Sequence, residues 1–280
     1  MHPYDLNNAE KAAAHFGIPM PADFLRFLDK AIAFSNQIGL PLAVLLDELF
    51  GLVRLDGYAA RYQQTPPEFF PFGTNGMDGE HFGYIIHLDK ELDYPAGFLG
   101  PMDFAGVSFL GEHTTEMLQT LLTREPEYLE KYQGLITVLG WTSTAGKPDY
   151  RQYQLQHKPP VPQPKDHWKW LETSDGVGVF APDHLFQSSH VLMHTAKDLV
   201  TSPVDYFFEL AAENLKSNHW GSALYYLKEI YWEEWTNAQT AITVLTNMQK
   251  IYEYLDRAHL HHVTGQMIRD FKNELPNTSY

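Results

Sequence analysis

Residues 65–88 read TPPEFFPFGTNGMDGEHFGYIIHL, and this stretch decides the fold class. Two prolines break the chain at its start, and two short apolar pieces, 69–72 and 84–88, follow among turn residues. Glycines at positions 73, 76, 79 and 83 separate these pieces. Short apolar runs between glycine-rich turns are typical of antiparallel strands. The stretch therefore predicts short antiparallel strands joined by tight turns, and residues 107–110 predict another.

The flanking residues follow a helical pattern instead. The apolar residues after Pro21 lie close to a 3.6-residue spacing, and a second amphipathic run begins after Pro41 and is expected to stop at Gly51. Thr114 or Thr115 is suited to cap a further helix, residues 135–141 form one more short apolar strand or helix, and the pattern from Pro203 onward is helical. These patterns predict an α+β fold, a mostly antiparallel sheet with helices packed on it and a helical C-terminal region.

The segment HKPPVPQPK, residues 157–165, contains four prolines and is expected to be extended and semi-rigid. We therefore predict an α+β domain over 1–156, a proline-rich linker over 157–165 and a mainly helical region over 166–280.

The helical region repeats itself weakly. Its first half places six residues at the offsets of a tetratricopeptide helix pair: Phe207, Leu210, Ala211, Ala223, Leu227 and Ile230. The same register begins again 35 residues later as a degenerate copy, in which only Ile242, Leu245 and Ala258 fit the pattern well; its six positions are Ile242, Leu245, Thr246, Ala258, His262 and Gly265. Because such repeats normally need three or more copies to stand alone, we interpret the region as a tetratricopeptide-like appendage.

Composition excludes several classes of function. The chain has no cysteine, so thiol nucleophiles, disulfides and cysteine-based zinc sites are impossible. The net charge of −15 opposes binding to nucleic acid or to anionic lipid. The N-terminus lacks the basic and apolar regions of a secretory signal, and no run approaches 18 apolar residues. These features predict a cytoplasmic protein without a membrane span.

The negative charge is concentrated between residues 62 and 123, which hold nine acids and one base. Such a segment is most often a solvated surface, but it also suits the steering of a basic partner. The candidate partner-binding residues are Asp78, Glu80, Asp89, Glu91 and Asp93. The last three alternate along the chain, so in a strand their side chains would share one face.

No catalytic constellation emerges from the other patterns. His259, His261 and His262 form the densest histidine cluster, but their spacing matches no established zinc motif. The sequence has no Gly-x-Ser-x-Gly element, and the glycines at 73–83 are not followed by Gly-Lys-Ser/Thr. We therefore expect a protein that is not an enzyme, with no catalytic residues, metal site or cofactor. A metal-dependent hydrolase using the acidic cluster stays as the weakest alternative.

The block Pro66–Gly73, the turn Asp78-Gly79 and the strand 82–88 resemble the SUKH superfamily, which contains fungal cell-wall synthesis regulators and bacterial toxin-immunity proteins. Pro21, Asp23 and Phe24 resemble its opening helix, and the likeness extends over residues 16–122. The chain departs from the family where an Asn-Gly pair is usual after the first helix, and the proline-rich linker and helical tail lie outside the family pattern. The resemblance implies an α+β fold and a binding activity without catalytic residues.

Together, the resemblance and the charge predict an immunity-type protein that sequesters a basic protein partner, a polymorphic toxin domain such as a nuclease. The alternative is a regulatory adaptor that recruits a partner through its helical tail.

Overall fold

The computed structural model describes residues 6, 8–77, 79–88, 93–101, 106–122, 126–141, 166–187 and 204–275. The chain divides into two compact units. The first unit comprises Met1–Tyr62, Phe69–Ile86 and Lys90–Pro160, and the second comprises Gln63–Glu68, His87–Asp89 and Val161–Tyr280. The second unit thus takes two short segments from the N-terminal half of the chain. The predicted linker at 157–165 lies outside the described residues.

The first unit has an α+β architecture, as predicted. Its helices are α1 (Ala9–Phe16), α2 (Ala22–Ile38), α3 (Leu42–Phe50), α4 (Thr114–Leu121), α5 (Pro126–Lys131) and α6 (Gln133–Leu139). Its strands are β1 (Phe69–Thr74), β2 (His81–Ile85), β3 (Ala96–Leu99) and β4 (Ser108–Gly111). The strands form one antiparallel sheet in the order β1-β2-β3-β4, and a short 3₁₀ turn at Tyr58–Ala60 precedes it.

Helices α2 and α3 confirm the predicted helical pattern. The apolar stripe of α2 is buried at Phe24, Phe27 and Leu28, as its 3.6-residue spacing requires. Gly51 follows the last residue of α3 with a φ of +66°, a left-handed conformation that favours glycine and ends the helix where predicted.

The sheet is irregular where proline enters it. Pro71 pairs with Gly83 and Gly73 pairs with Phe82, so β1 bulges between them. Proline has no amide hydrogen for a ladder, and β1 is an edge strand, where proline is tolerated. Gly83 is required by close packing, because a Cβ atom there would lie 2.5 Å from the carbonyl oxygen of Phe70. The sequence analysis did not predict strand β3, because the strand has only four residues and lies among turn residues.

The core of the first unit is aromatic. Phe72 packs against Phe24 at 5.4 Å and against Tyr84 at 4.7 Å between ring centroids. The Tyr84 hydroxyl lies 2.9 Å from the Thr114 hydroxyl. The prediction that Thr114 or Thr115 caps α4 was wrong: His113 is the N-cap, because its ring Nδ1 accepts the Glu116 amide at 3.2 Å.

The described part of the second unit contains a hairpin and four helices. The hairpin consists of β5 (Trp168–Leu171) and β6 (Val179–Pro182), and a 3₁₀ turn (Asp183–Leu185) follows it. The helices are α7 (Val204–Lys216), α8 (Trp220–Glu234), α9 (Ala238–Tyr254) and α10 (Ala258–Glu274). Residues 221–232 of α8 are all buried, so this helix forms the centre of the unit.

The predicted repeat register holds for the first helix pair and fails for the second. Phe207, Ala211, Ala223, Leu227 and Ile230 are buried between α7 and α8. In the second pair Ala258 and His262 are exposed, so the predicted register for α10 was wrong. The buried residues of α10 are instead Leu260, Val263, Thr264, Met267, Ile268 and Phe271.

In the described part of the chain, no single helix combines the length and the apolar character of a membrane span. Helices α2 and α3 meet those criteria only when taken together, and they are bent by 114° at the break between them.

Candidate functional site

The structure describes two of the five predicted partner-binding acids. Asp78, Asp89 and Glu91 lie outside the described residues. Glu80 lies in the β1–β2 turn, half-buried, where its carboxylate accepts a hydrogen bond from the Asn75 amide. Asp93 is exposed in a bend before β3. Because β2 ends at Ile85 and β3 begins at Ala96, Asp93 does not lie in a strand, and its predicted place on a strand face was wrong.

Glu68 requires a further correction. Glu68 is one of the nine acids between residues 62 and 123 for which a solvated surface is predicted, but its side chain is fully buried, with 0% exposure. It belongs to the second unit, where it contacts basic and phenolic side chains. The exposed acidic surface of the first unit therefore excludes Glu68.

A groove of about 380 Å³ lies in the first unit beside the β1–β2 turn. Its described lining consists of Asp47, Glu48, Leu49, Phe50, Gly51, Asn75, Met77, Leu121 and Tyr128. These residues come from the end of α3, from the β1–β2 turn, from α4 and from α5. The side chains of Leu49, Phe50 and Leu121 are buried, whereas Met77 is 57% exposed. The groove thus has a mixed lining, in which Met77 is the exposed apolar side chain and Asp47 an exposed acid.

Charge at the rim is partly neutralised. The Lys131 ammonium lies 2.5 Å from the Glu48 carboxylate, and the Tyr132 hydroxyl donates to the same carboxylate. The hydrogen bonds from Lys131 and Tyr132 lower the pKa of Glu48, and the bond to Glu48 raises the pKa of Lys131. Asp47 is exposed and makes no ion pair with any residue the structure describes. The rim therefore keeps one negative charge without a cationic partner in that set.

The first unit has a second cavity, of about 330 Å³, with a different character. Its polar lining groups satisfy one another: Arg54 Nε lies 3.1 Å from the Asp56 carboxylate, and the His15 ring lies 3.1 Å from the Leu55 carbonyl oxygen. The carboxylate in this cavity is therefore already paired, unlike Asp47 in the groove.

The second unit contains a buried ionic centre around Lys228. The Lys228 ammonium lies 2.6 Å from Glu68 Oε2 and 2.8 Å from Asp175 Oδ2, and all three side chains are at most 4% exposed. Tyr252 donates to the other oxygen of Glu68 at 2.6 Å. Burial disfavours the ammonium, but Asp175 and Glu68 together raise the pKa of Lys228, so it stays charged.

The β5–β6 turn shapes the acidic side of this centre. The other oxygen of Asp175 accepts the Thr173 hydroxyl at 2.5 Å and the Val177 amide at 2.9 Å. The Gly178 amide in turn donates to the Thr173 hydroxyl at 2.8 Å. The turn thus holds the Asp175 carboxylate in the orientation in which it contacts Lys228.

Glu229, the next residue of α8, binds the same turn. Its carboxylate accepts the Ser174 amide at 2.8 Å and the Ser174 hydroxyl at 2.5 Å. Burial raises the pKa of Glu229 to about 7, against the opposing effect of the Ser174 hydrogen bonds. This carboxyl group therefore changes charge near neutral pH.

Two histidines near the centre are held neutral. Burial, with the nearby Arg257 and Lys228 charges, lowers the pKa of His87 to about 3. Burial lowers the pKa of His259 to about 4. Burial opposes the imidazolium form of both rings, and nearby cations add to this at His87, so both rings act as neutral groups at physiological pH.

The chemistry of the centre is structural. Its charges are paired and sealed from solvent, so no substrate reaches them. Sequence reasoning missed it, although Lys228 and Glu229 interrupt the otherwise apolar run of α8, and such a charged pair in a buried helix was the available signal. In the histidine cluster of α10, for which no metal site was predicted, His259 is half-buried and His262 is exposed. Among the described residues, no group of three potential ligands is placed to hold a metal ion.

No family model matches the chain, and neither does any curated protein.

Proposed function

We propose that the protein is a cytoplasmic immunity-type protein that binds and blocks a basic toxin domain through the acidic surface of its first unit. The observation that carries the proposal is the groove beside the β1–β2 turn, where Asp47 is exposed at the rim and Met77 projects into solvent. Methionine and tyrosine are enriched at protein interfaces, and Tyr128 lines the same groove.

Charge supports a basic partner. The segment from Tyr62 to Thr123 carries nine acids and one base, and seven of these acids remain in the first unit once Glu68 and Asp89, which belong to the second unit, are left out. The predicted site residue Glu80 is fixed by Asn75, which itself lines the groove. A toxin that attacks nucleic acid carries a basic active site, because it must attract phosphate. An acidic surface that covers such a site blocks access for the substrate and speeds association.

Growth rescue tests the proposal. The toxin encoded beside the gene is expressed with the wild-type protein, with Asp47→Asn/Met77→Ala and with Glu209→Gln/Glu213→Gln. The last variant removes two exposed charges from α7 of the second unit and serves as the control. We expect rescue by the wild type and the control and weaker rescue by the groove variant. A toxin that kills equally with and without the wild-type protein contradicts the proposal.

The second candidate function is an adaptor that recruits a partner through the helical region. One observation favours it: α7 and α9 begin 34 residues apart, at Val204 and Ala238, and each opens a helix pair. Tyr206 on α7 and Tyr254 at the end of α9 are exposed, at 39% and 55%.

Point variants separate the two functions better than deletion of residues 203–280. That deletion removes Lys228 and Tyr252, which are partners of the buried Glu68, and would unfold what remains around it. We expect Tyr206→Ala/Tyr254→Ala to leave toxin rescue intact. Loss of rescue by this variant, with the Asp47→Asn/Met77→Ala protein still active, identifies the adaptor instead.

A further inference from the structure

We propose that the groove receives an arginine side chain of the toxin, with the Asp47 carboxylate as the acceptor of its guanidinium group. The inference rests on the proposed function and specifies the chemistry of recognition at that site.

The shape of the groove suits a long side chain with a charged end. The apolar lining residues Leu49, Phe50 and Leu121 are at most 3% exposed, so the apolar surface open to a ligand is the side chain of Met77, which is 57% exposed, and Asp47 is exposed in the same lining. Arginine places a three-carbon stem on apolar surface and keeps its charged head at the water boundary.

The charges at the rim select a cation. Asp47 and Glu48 are both acidic, and Lys131 offsets one of them through its bond to Glu48. These three side chains therefore carry one net negative charge, and it resides on Asp47, which has no ion-pair partner among the described residues. An acidic or phosphorylated ligand would be repelled at this position.

The rim also favours guanidinium over ammonium. Tyr128 lines the groove, and Met77 stands exposed beside it. Lys131 already lies 5.6 Å from the centre of the Tyr128 ring, so an incoming guanidinium has to use the ring face opposite this ammonium group. A planar guanidinium stacks on aromatic faces and binds a carboxylate through two donors, which an ammonium group cannot do.

The probe is the peptide Gly-Gly-Arg-Gly-Gly, with its citrulline counterpart as a neutral control of nearly the same shape. Binding is followed by the amide signals of the ¹⁵N-labelled full-length protein at low salt. We expect the arginine peptide to move the signals of Asp47, Gly51 and Met77 in a saturable way, and the citrulline peptide to bind more weakly. Asp47→Asn should weaken arginine binding about two- to fivefold, and Glu209→Gln should not change it.

Three outcomes overturn the inference. Equal binding of the arginine and citrulline peptides shows a groove for uncharged ligands, and undiminished binding to Asp47→Asn removes the proposed acceptor. Absence of any shift at saturating peptide excludes an arginine site. Growth rescue distinguishes this failure from failure of the proposed function. If the wild-type protein rescues growth but the peptide test fails, the immunity function is retained and only the arginine site is excluded.

Discussion

Among the residues that the structure describes, Lys131 and Lys228 each form a short ion pair, and the surroundings of the two pairs differ. Lys131 of the first unit lies 2.5 Å from Glu48, with 51% and 24% of the two side chains exposed. Lys228 of the second unit lies 2.6 Å from Glu68, with 1% exposed on each side. Distance alone does not set the energy, because water screens the first pair and is absent around the second. The exposed pair leaves a surface open to a partner, whereas the buried one stabilises its unit.

Breaking the buried centre should have the largest effect. Lys228→Met leaves Glu68 and Asp175 buried without their cation, and we expect it to lower the free energy of unfolding by about 3–5 kcal/mol. Urea unfolding followed by circular dichroism measures the loss.

The triple variant Lys228→Met/Glu68→Gln/Asp175→Asn is the control for that prediction. It removes the uncompensated charges while keeping acceptors for Tyr252 and Val177, so it should regain part of the lost stability. A triple variant that is no more stable than Lys228→Met would show that packing, and not unpaired charge, accounts for the loss.

Glu229 should give the next largest effect, visible as a pH dependence. Its folded pKa of about 7 exceeds the ordinary value of 4.5, so the folded state holds the proton more tightly than the unfolded chain. The carboxyl group therefore costs stability as pH rises from about 4.5 to 7, on the order of 3 kcal/mol in total. Glu229→Gln keeps an acceptor for Ser174 and abolishes this charge change.

The measurement is the difference in unfolding free energy between the wild type and Glu229→Gln at pH 5 and at pH 8. We expect the unfolding free energy of Glu229→Gln to increase relative to that of the wild type as pH rises. The difference between the two proteins cancels the opposite contributions of His87 and His259, whose lowered pKa values cost stability as pH falls below about 6.5. A constant difference across this range would contradict the raised pKa.

The exposed pair should give the smallest effect on stability. Because both side chains reach solvent, Lys131→Met is expected to leave the urea midpoint close to that of the wild type. A midpoint shift as large as that of Lys228→Met would remove the distinction between the two environments.

The sequence predicted the parts of the fold that local patterns determine. Gly51 ends α3 as expected, and the glycine-rich stretch forms antiparallel strands. The partners within the ionic centre could not be predicted from the sequence, because Glu68, Asp175 and Lys228 are far apart in the chain and only the tertiary fold joins them. The predicted partner-binding role of the acids stays a prediction: Glu80 lies in the β1–β2 turn and is bonded to Asn75 of the groove lining, and nothing in the sequence pointed to Asp47 of α3.

The central claim is that the acidic first unit steers a basic toxin into binding. The direct test is the association rate of the purified toxin that the growth-rescue experiment identifies, measured by stopped flow at about 50 mM and about 500 mM salt. We expect at least a tenfold slower rate at high salt, and a comparable slowing at low salt for Asp47→Asn/Glu80→Gln/Asp93→Asn but not for Glu209→Gln/Glu213→Gln. An association rate that ignores both the salt and the triple substitution would contradict the claim and show that the acids only solvate the surface.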